Sequence, residues 1–126
     1  MKTIFVKFSF LILLITLTIG CKKNQVGGKA SLKGVVAHHG KAIPNAVVYI
    51  KYNTSEFPSS DGTTYNTSVT ADDQGNYSID FYKGTYYIYA VGLDMDIPYP
   101  YKVSGGMSIS IRNRENLTKD IAVTEE

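Results

Sequence analysis

Few side chains of this chain are placed to do chemistry, and the first is Cys21, the only cysteine in 126 residues. It has no internal partner for a disulfide, the usual use of cysteine outside the cytoplasm. His38-His39 is the only histidine pair, and loop carboxylates such as Asp94 or Asp96 could add ligands for a metal ion. Adjacent residues of an extended chain point to opposite sides, however, so the pair is expected to be a solvated turn and no metal site is expected. Asp72-Asp73-Gln74-Gly75-Asn76 lacks the spaced acids and closing Glu of a calcium loop; a hairpin turn accounts for it. No nucleophile–base set emerges, so no catalytic residue and no cofactor are expected. Tyr49, Tyr87 and Tyr89 alternate with core positions, and Tyr99 and Tyr101 follow in a loop; together they could form an aromatic surface for a sugar or a protein.

The elements around Cys21 explain its position. Lys2 and Lys7 precede an apolar stretch, Phe8 to Ile19, of twelve residues broken only by Ser9, Thr16 and Thr18. That is the layout of a secretory signal, and it is too short for a bilayer span of about 20 residues. Leu17-Thr18-Ile19-Gly20-Cys21 resembles the bacterial lipobox, with Thr18 where an aliphatic residue is usual. The resemblance implies a signal peptide over 1–20, cleavage after Gly20 and lipid on the Cys21 sulfur. A membrane partner through that lipid follows, with acyl chains beyond the two needed for stable anchoring. Residues 21–29, with Gly27-Gly28, are expected to be a lipidated flexible tether, and residues 30–126 the domain.

Processing also changes the charge argument. The full chain has 13 Lys and Arg against 11 Asp and Glu, and loss of Lys2 and Lys7 leaves eleven against eleven. Nothing in that balance suggests nucleic acid as a partner.

Beyond residue 30, period-two alternation recurs between turn residues, the pattern of an all-β domain. Leu32, Gly34 and Val36 share one face, as do Ala46, Val48 and Ile50. Tyr77, Ile79 and Phe81 form another, then Tyr86, Ile88 and Ala90, then Met107, Ile109 and Ile111. Leu117, Lys119, Ile121 and Val123 read as one closing strand. Seven to eight short strands predict a two-sheet sandwich. Gly34 is expected to leave room for a bulky neighbour across the core.

Four stretches in order carry a further resemblance: Leu32-Lys33-Gly34-Val35-Val36, Gly40-Lys41-Ala42-Ile43-Pro44-Asn45-Ala46, Asp73-Gln74-Gly75-Asn76-Tyr77 and Gly84-Thr85-Tyr86. They resemble the carboxypeptidase regulatory-like domain, one of the transthyretin-like sandwiches, over residues 30–92. The resemblance implies Greek-key connectivity and no peptidase, since in carboxypeptidases a separate domain holds the zinc. Asn45 stands where the family usually has Gly. The His spacing of the ring-cleaving dioxygenase sandwiches is missing, as are the motifs of hydroxyisourate hydrolases. Lys33 and Asn116 are not expected to form the isopeptide bond of pilus sandwiches, because Lys33 should face outward. Stand-alone lipoproteins of this kind are common in Bacteroidetes-type bacteria. Lys22-Lys23-Asn24-Gln25 after the cysteine favours the outer membrane facing the periplasm over the cell surface. The function implied is a non-enzymatic, lipid-anchored envelope protein presenting one sandwich to an envelope protein, or to a glycan or other small ligand through its surface tyrosines.

Overall fold

Strict alternation is satisfied by strands that turn one face inward, and residues 22–126, those described by the computed structural model, fold in that way. β1 spans Val26–His38, β2 Lys41–Ala42, β3 Val47–Tyr52, β4 Thr67–Thr70 and β5 Asn76–Phe81. β6 spans Gly84–Leu93 and β7 Lys102–Ile111, followed by three short pieces: β8 Asn116–Thr118, β9 Ile121–Ala122 and β10 Thr124–Glu125. A 3-10 turn at Gly62–Thr64 is the only helical piece among the described residues.

The strands form two five-stranded sheets packed on each other, an all-β sandwich. In the first sheet β1 is central, antiparallel to β5 and β2 and parallel to β8 and β9. The second runs β10-β7-β6-β3-β4. The chain changes sheet after β2, β4, β5, β7 and β9, which sets β6 beside β3 and β5 beside β1. Such non-sequential neighbours are those of a Greek key. Asp72–Gly75 therefore joins two sheets and is not the hairpin that its composition suggests. Asp72 still organises it, its Oδ1 accepting from the N–H groups of Gln74 and Asn76 at 2.9 and 2.8 Å.

The core takes Leu32 and Val36 from β1 and Tyr77, Ile79 and Phe81 from β5. From the facing sheet it takes Val48, Ile50, Tyr86, Ile88, Ala90, Val103, Ile109 and Ile111. The tyrosine rings lie inside while their hydroxyls find carbonyls at the rim. Tyr86 donates to Tyr82 O at 2.7 Å, and Tyr77 donates to Lys119 O. Burial pushes the Tyr86 hydroxyl up to about 12. Among the described residues the buried core runs from Ala30 to Val123.

Three expectations change. The tether is shorter than residues 21–29, because Val26–Lys29 already belong to β1, with a bulge between Val26 and Ala30. Gln25 O accepts from Tyr82 N at 2.8 Å, so the chain is pinned even before the strand. The closing strand is three pieces: β8 and β9 lie along β1, and the chain then crosses so that β10 pairs with β7. Gly34 makes room for backbone and not for a bulky side chain, since a Cβ there would overlap the carbonyl of Lys119. Lys119 N donates to Lys33 O at 2.9 Å, and the Asp120 carboxylate caps Val35 N at 2.9 Å where the ladder is interrupted.

Gly34→Ala should therefore lower stability by about 2 kcal/mol or more, because backbone cannot step aside as a side chain can. Lys33→Ala, on the exposed side of β1, should change it by less than about 0.5 kcal/mol. Urea denaturation of the two variants checks the difference.

Candidate ligand-binding face

The outer face of the second sheet collects three of the five tyrosines singled out in the sequence. Tyr49 of β3 pairs with Tyr89 of β6, and Tyr87 lies opposite Lys51. The connection between β3 and β4 folds back over them and adds Phe57 and Tyr65. Tyr65 stacks on Tyr89 with centroids 5.8 Å apart and planes at 10°, and Tyr49 lies 5.5 Å from Tyr65. Phe57 stands 5.7 Å from Tyr87 and 5.4 Å from Tyr89. Two glycines give the rings space: a Cβ on Gly62 would meet the Tyr49 ring, and one on Gly106 would meet Tyr87.

This cluster is partly a small second core. Tyr89 is only 4% exposed, so it supports the surface from beneath and cannot stack on a ligand. Tyr49 and Tyr87 are half-buried, while Phe57 is 52% exposed. Burial pushes the Tyr65 hydroxyl up to about 12, with Tyr89 and Tyr87 adding to it, and Tyr65 donates to Ser59 O at 2.9 Å. Burial also raises Tyr87. Tyr65 and Tyr87 are thus neutral at any physiological pH. Tyr99 and Tyr101 do not join them; they pair edge-to-face with each other, 5.6 Å apart, in the loop between β6 and β7. Phe57 and Tyr65 were not among the expected residues, because they lie in a polar loop without periodicity.

Further along the same strands the outer face becomes aliphatic. Val47 pairs with Val91, and Leu93 follows two residues on. With Pro44, Met95 and Lys102 they line a groove of about 610 Å³. Leu93 and Met95 are exposed. The groove is walled by Ile43, Pro44 and Asn45, and Asn45 has φ +57, a left-handed conformation that Asn tolerates. Its rim carries paired charges: Lys102 Nζ lies 3.1 Å from Glu126, and Lys41 bridges Asp94 and Asp96.

The expectation that His38-His39 is a solvated turn is half right. His39 and Gly40 have φ +50 and +78, the two central positions of a type I′ hairpin turn, and His39 is exposed. His38 continues the inward face of β1 and is buried. Asp94, the inward residue after β6, meets it from the other sheet: Nδ1 to Oδ2 is 2.7 Å, and both side chains are 4% exposed. His38 Nε2 has no hydrogen-bond partner. Lys41 Nζ reaches Asp94 Oδ1 at 3.0 Å, and Asp96 N donates to the same oxygen at 3.0 Å. The hydrogen bond from His38, then those from Asp96 N and Lys41, holds the Asp94 carboxyl well below the usual carboxylate range, against the effect of burial. This cluster clamps the two sheets at one end. Among the described residues no group of three His, Cys, Asp or Glu is placed to hold a metal ion. Lys33 lies opposite Thr118, and Asn116 accepts from Ser31 Oγ at 2.8 Å, so the two are engaged separately. Cys21 lies outside the described residues.

No family model and no curated protein sequence matches the chain. Among solved structures it is similar to a Pseudomonas aeruginosa protein to which carbohydrate binding has been provisionally assigned. The two share 14% identity at a TM-score of 0.55, over 79% of this chain and 91% of that one. At that identity the likeness is one of fold.

A carboxylate depressed in the folded state stabilises fully above the unfolded carboxylate pKa of about 4 and loses that contribution as pH falls through the folded value. Thermal midpoints of the native chain should therefore drop as pH is lowered from about 5. Asp94→Asn should be less stable at neutral pH and show a shallower acid limb, measured by circular dichroism melts across that range.

Proposed function

We propose that this chain is a non-catalytic, lipid-anchored recognition module of the bacterial cell envelope, and that its ligand face is the outer surface of β3 and β6. One observation carries the reading: exposed Phe57, Leu93 and Met95 border a single face that runs from an aromatic cluster into an apolar groove. Large apolar side chains left contiguous at a surface mark an interaction site, and the groove has the size of a small-ligand cleft. Anchoring rests on the signal-like segment and Cys21. The four motifs shared with carboxypeptidase regulatory-like domains support a binding role without a peptidase. His38 is used in a clamp between sheets, which supports a non-enzymatic reading.

Of the possible ligands, the groove chemistry favours a glycan. Aliphatic and aromatic side chains suit the C–H face of a sugar ring, and ion-paired Lys and carboxylate groups at the rim offer donors and acceptors. The provisional carbohydrate assignment of the structurally similar Pseudomonas aeruginosa protein points the same way.

Two experiments test this reading. Cys21→Ser should abolish fatty-acid labelling and release the protein from the membrane fraction; retention there contradicts anchoring. Leu93→Asp combined with Tyr87→Ala should weaken binding to soluble envelope polysaccharide by about 2 kcal/mol, or about thirtyfold, in affinity electrophoresis. Unchanged binding, with a normal melt, moves the ligand face elsewhere.

A further inference from the structure

The charge of the sandwich is segregated between its two ends, although the segment after Gly20 is neutral in sum. One end is built from the chain preceding β1, the turn between β5 and β6, and the turn between β7 and β8. Lys23, Lys83 and Arg112 line one hollow there with Asn113, and Asn113, Lys29, Arg114 and Tyr82 line the next. Lys22 Nζ sits 5.8 Å from the centre of the Tyr82 ring. None of these six cations makes an ion pair among the described residues. Five are exposed, and Lys83 is partly so. Glu115 on the same turn has Oε1 turned to Arg112 N, and Asp80 lies further along β5. The opposite end carries Asp94 and Asp96, one length of β6, or about 30 Å, away.

The chain itself fixes this basic end against residues 22–25, which follow Cys21 in sequence. Asn24 N donates to Lys83 O at 2.9 Å and Tyr82 N to Gln25 O at 2.8 Å. Tyr86 Oη, whose proton is shared with Tyr82 O, lies 3.0 Å from Gln25 O. Lys22 is thus held against the turn between β5 and β6, and Cys21 is its immediate neighbour in sequence. A lipid on Cys21 would turn this end toward headgroups, whose attraction for the cations acts over about a Debye length, 8–10 Å.

We propose that this end is a docking surface for anionic phospholipid headgroups, which seats the sandwich upright with the acidic end and its clamp pointing away from the bilayer. The orientation rests on the anchored reading above, whereas attraction of the patch to anionic lipid does not require it. The surface differs from a floppy tether: the lysines and arginines are spaced by folded turns, so the contact sets an orientation as well as adding affinity.

The test uses two forms of the protein. Residues 22–126, which contain the core found among the described residues, should co-sediment with phosphatidylcholine–phosphatidylglycerol vesicles and not with phosphatidylcholine alone, and added sodium chloride should release them. Lys83→Glu with Arg112→Glu should weaken this binding by about tenfold or more, while Lys51→Glu should not. In the full processed chain, reconstituted in the same two lipids, tryptic cleavage at Lys29 and Lys83 should slow only in the phosphatidylglycerol bilayer. Equal behaviour in both lipids overturns the proposal, as does unchanged binding of the double variant. Displacement by inorganic phosphate beyond that caused by chloride of equal ionic strength identifies a free-anion site and also overturns it. Loss of fatty-acid labelling at Cys21 is a separate failure: it removes the anchor and leaves the vesicle selectivity to be read on its own.

Discussion

Alternation along β6 is the constraint on which the rest of this structure depends. The strand lies inside the second sheet, between β3 and β7, so neither of its edges is free. Its even positions, Tyr86, Ile88 and Ala90, fill the core, and Asp94 beyond them closes it against His38. Its odd positions, Tyr87, Tyr89, Val91 and Leu93, form the floor of the proposed ligand face. A slip of one residue would exchange the two sets. Core and binding face are therefore one decision, made by the pairing of ten consecutive residues.

With no disulfide among the described residues, the sandwich is closed by chain crossings. The final segment lies beside β1 at Gly34 and then passes over Gly105 of β7, where a Cβ would overlap Ala122. Asp120 caps the strand it leaves, and Tyr77 secures Lys119. The other end is held by the His38–Asp94–Lys41 cluster, a polar contact at the limit of an apolar core. Such a pair adds little unless both partners remain, because losing one leaves the other buried and unpaired.

The inward positions were legible in the sequence because period two is set by backbone geometry alone. Tyr49, Tyr87 and Tyr89 could be placed together on an outer face for the same reason. The depth of Tyr89 could not, since it depends on Phe57 and Tyr65 folding back from a loop whose path no local pattern encodes. His38 was missed although the signal existed: the alternation Leu32, Gly34, Val36 runs on to His38, and that of β6 runs on to Asp94. Reading His38-His39-Gly40-Lys41 as a turn hid the fact that only its two middle residues turn. The closing segment was read as one strand because its apolar spacing is regular; the change of sheet within it is decided by the glycines opposite. Charge segregation was invisible to composition, which sums over both ends.

Two surfaces thus project from one core: a basic end beside the first described residues and an apolar face on the flank. The claim that the flank is the ligand face is tested most directly by amide chemical shifts of residues 22–126 during titration with soluble envelope polysaccharide. The account predicts a contiguous set of changes at Val47, Tyr87, Val91, Leu93 and Lys102, with Lys83 and Arg112 unmoved. Changes confined to the His38–Asp94 end, or to the first sheet, would contradict it.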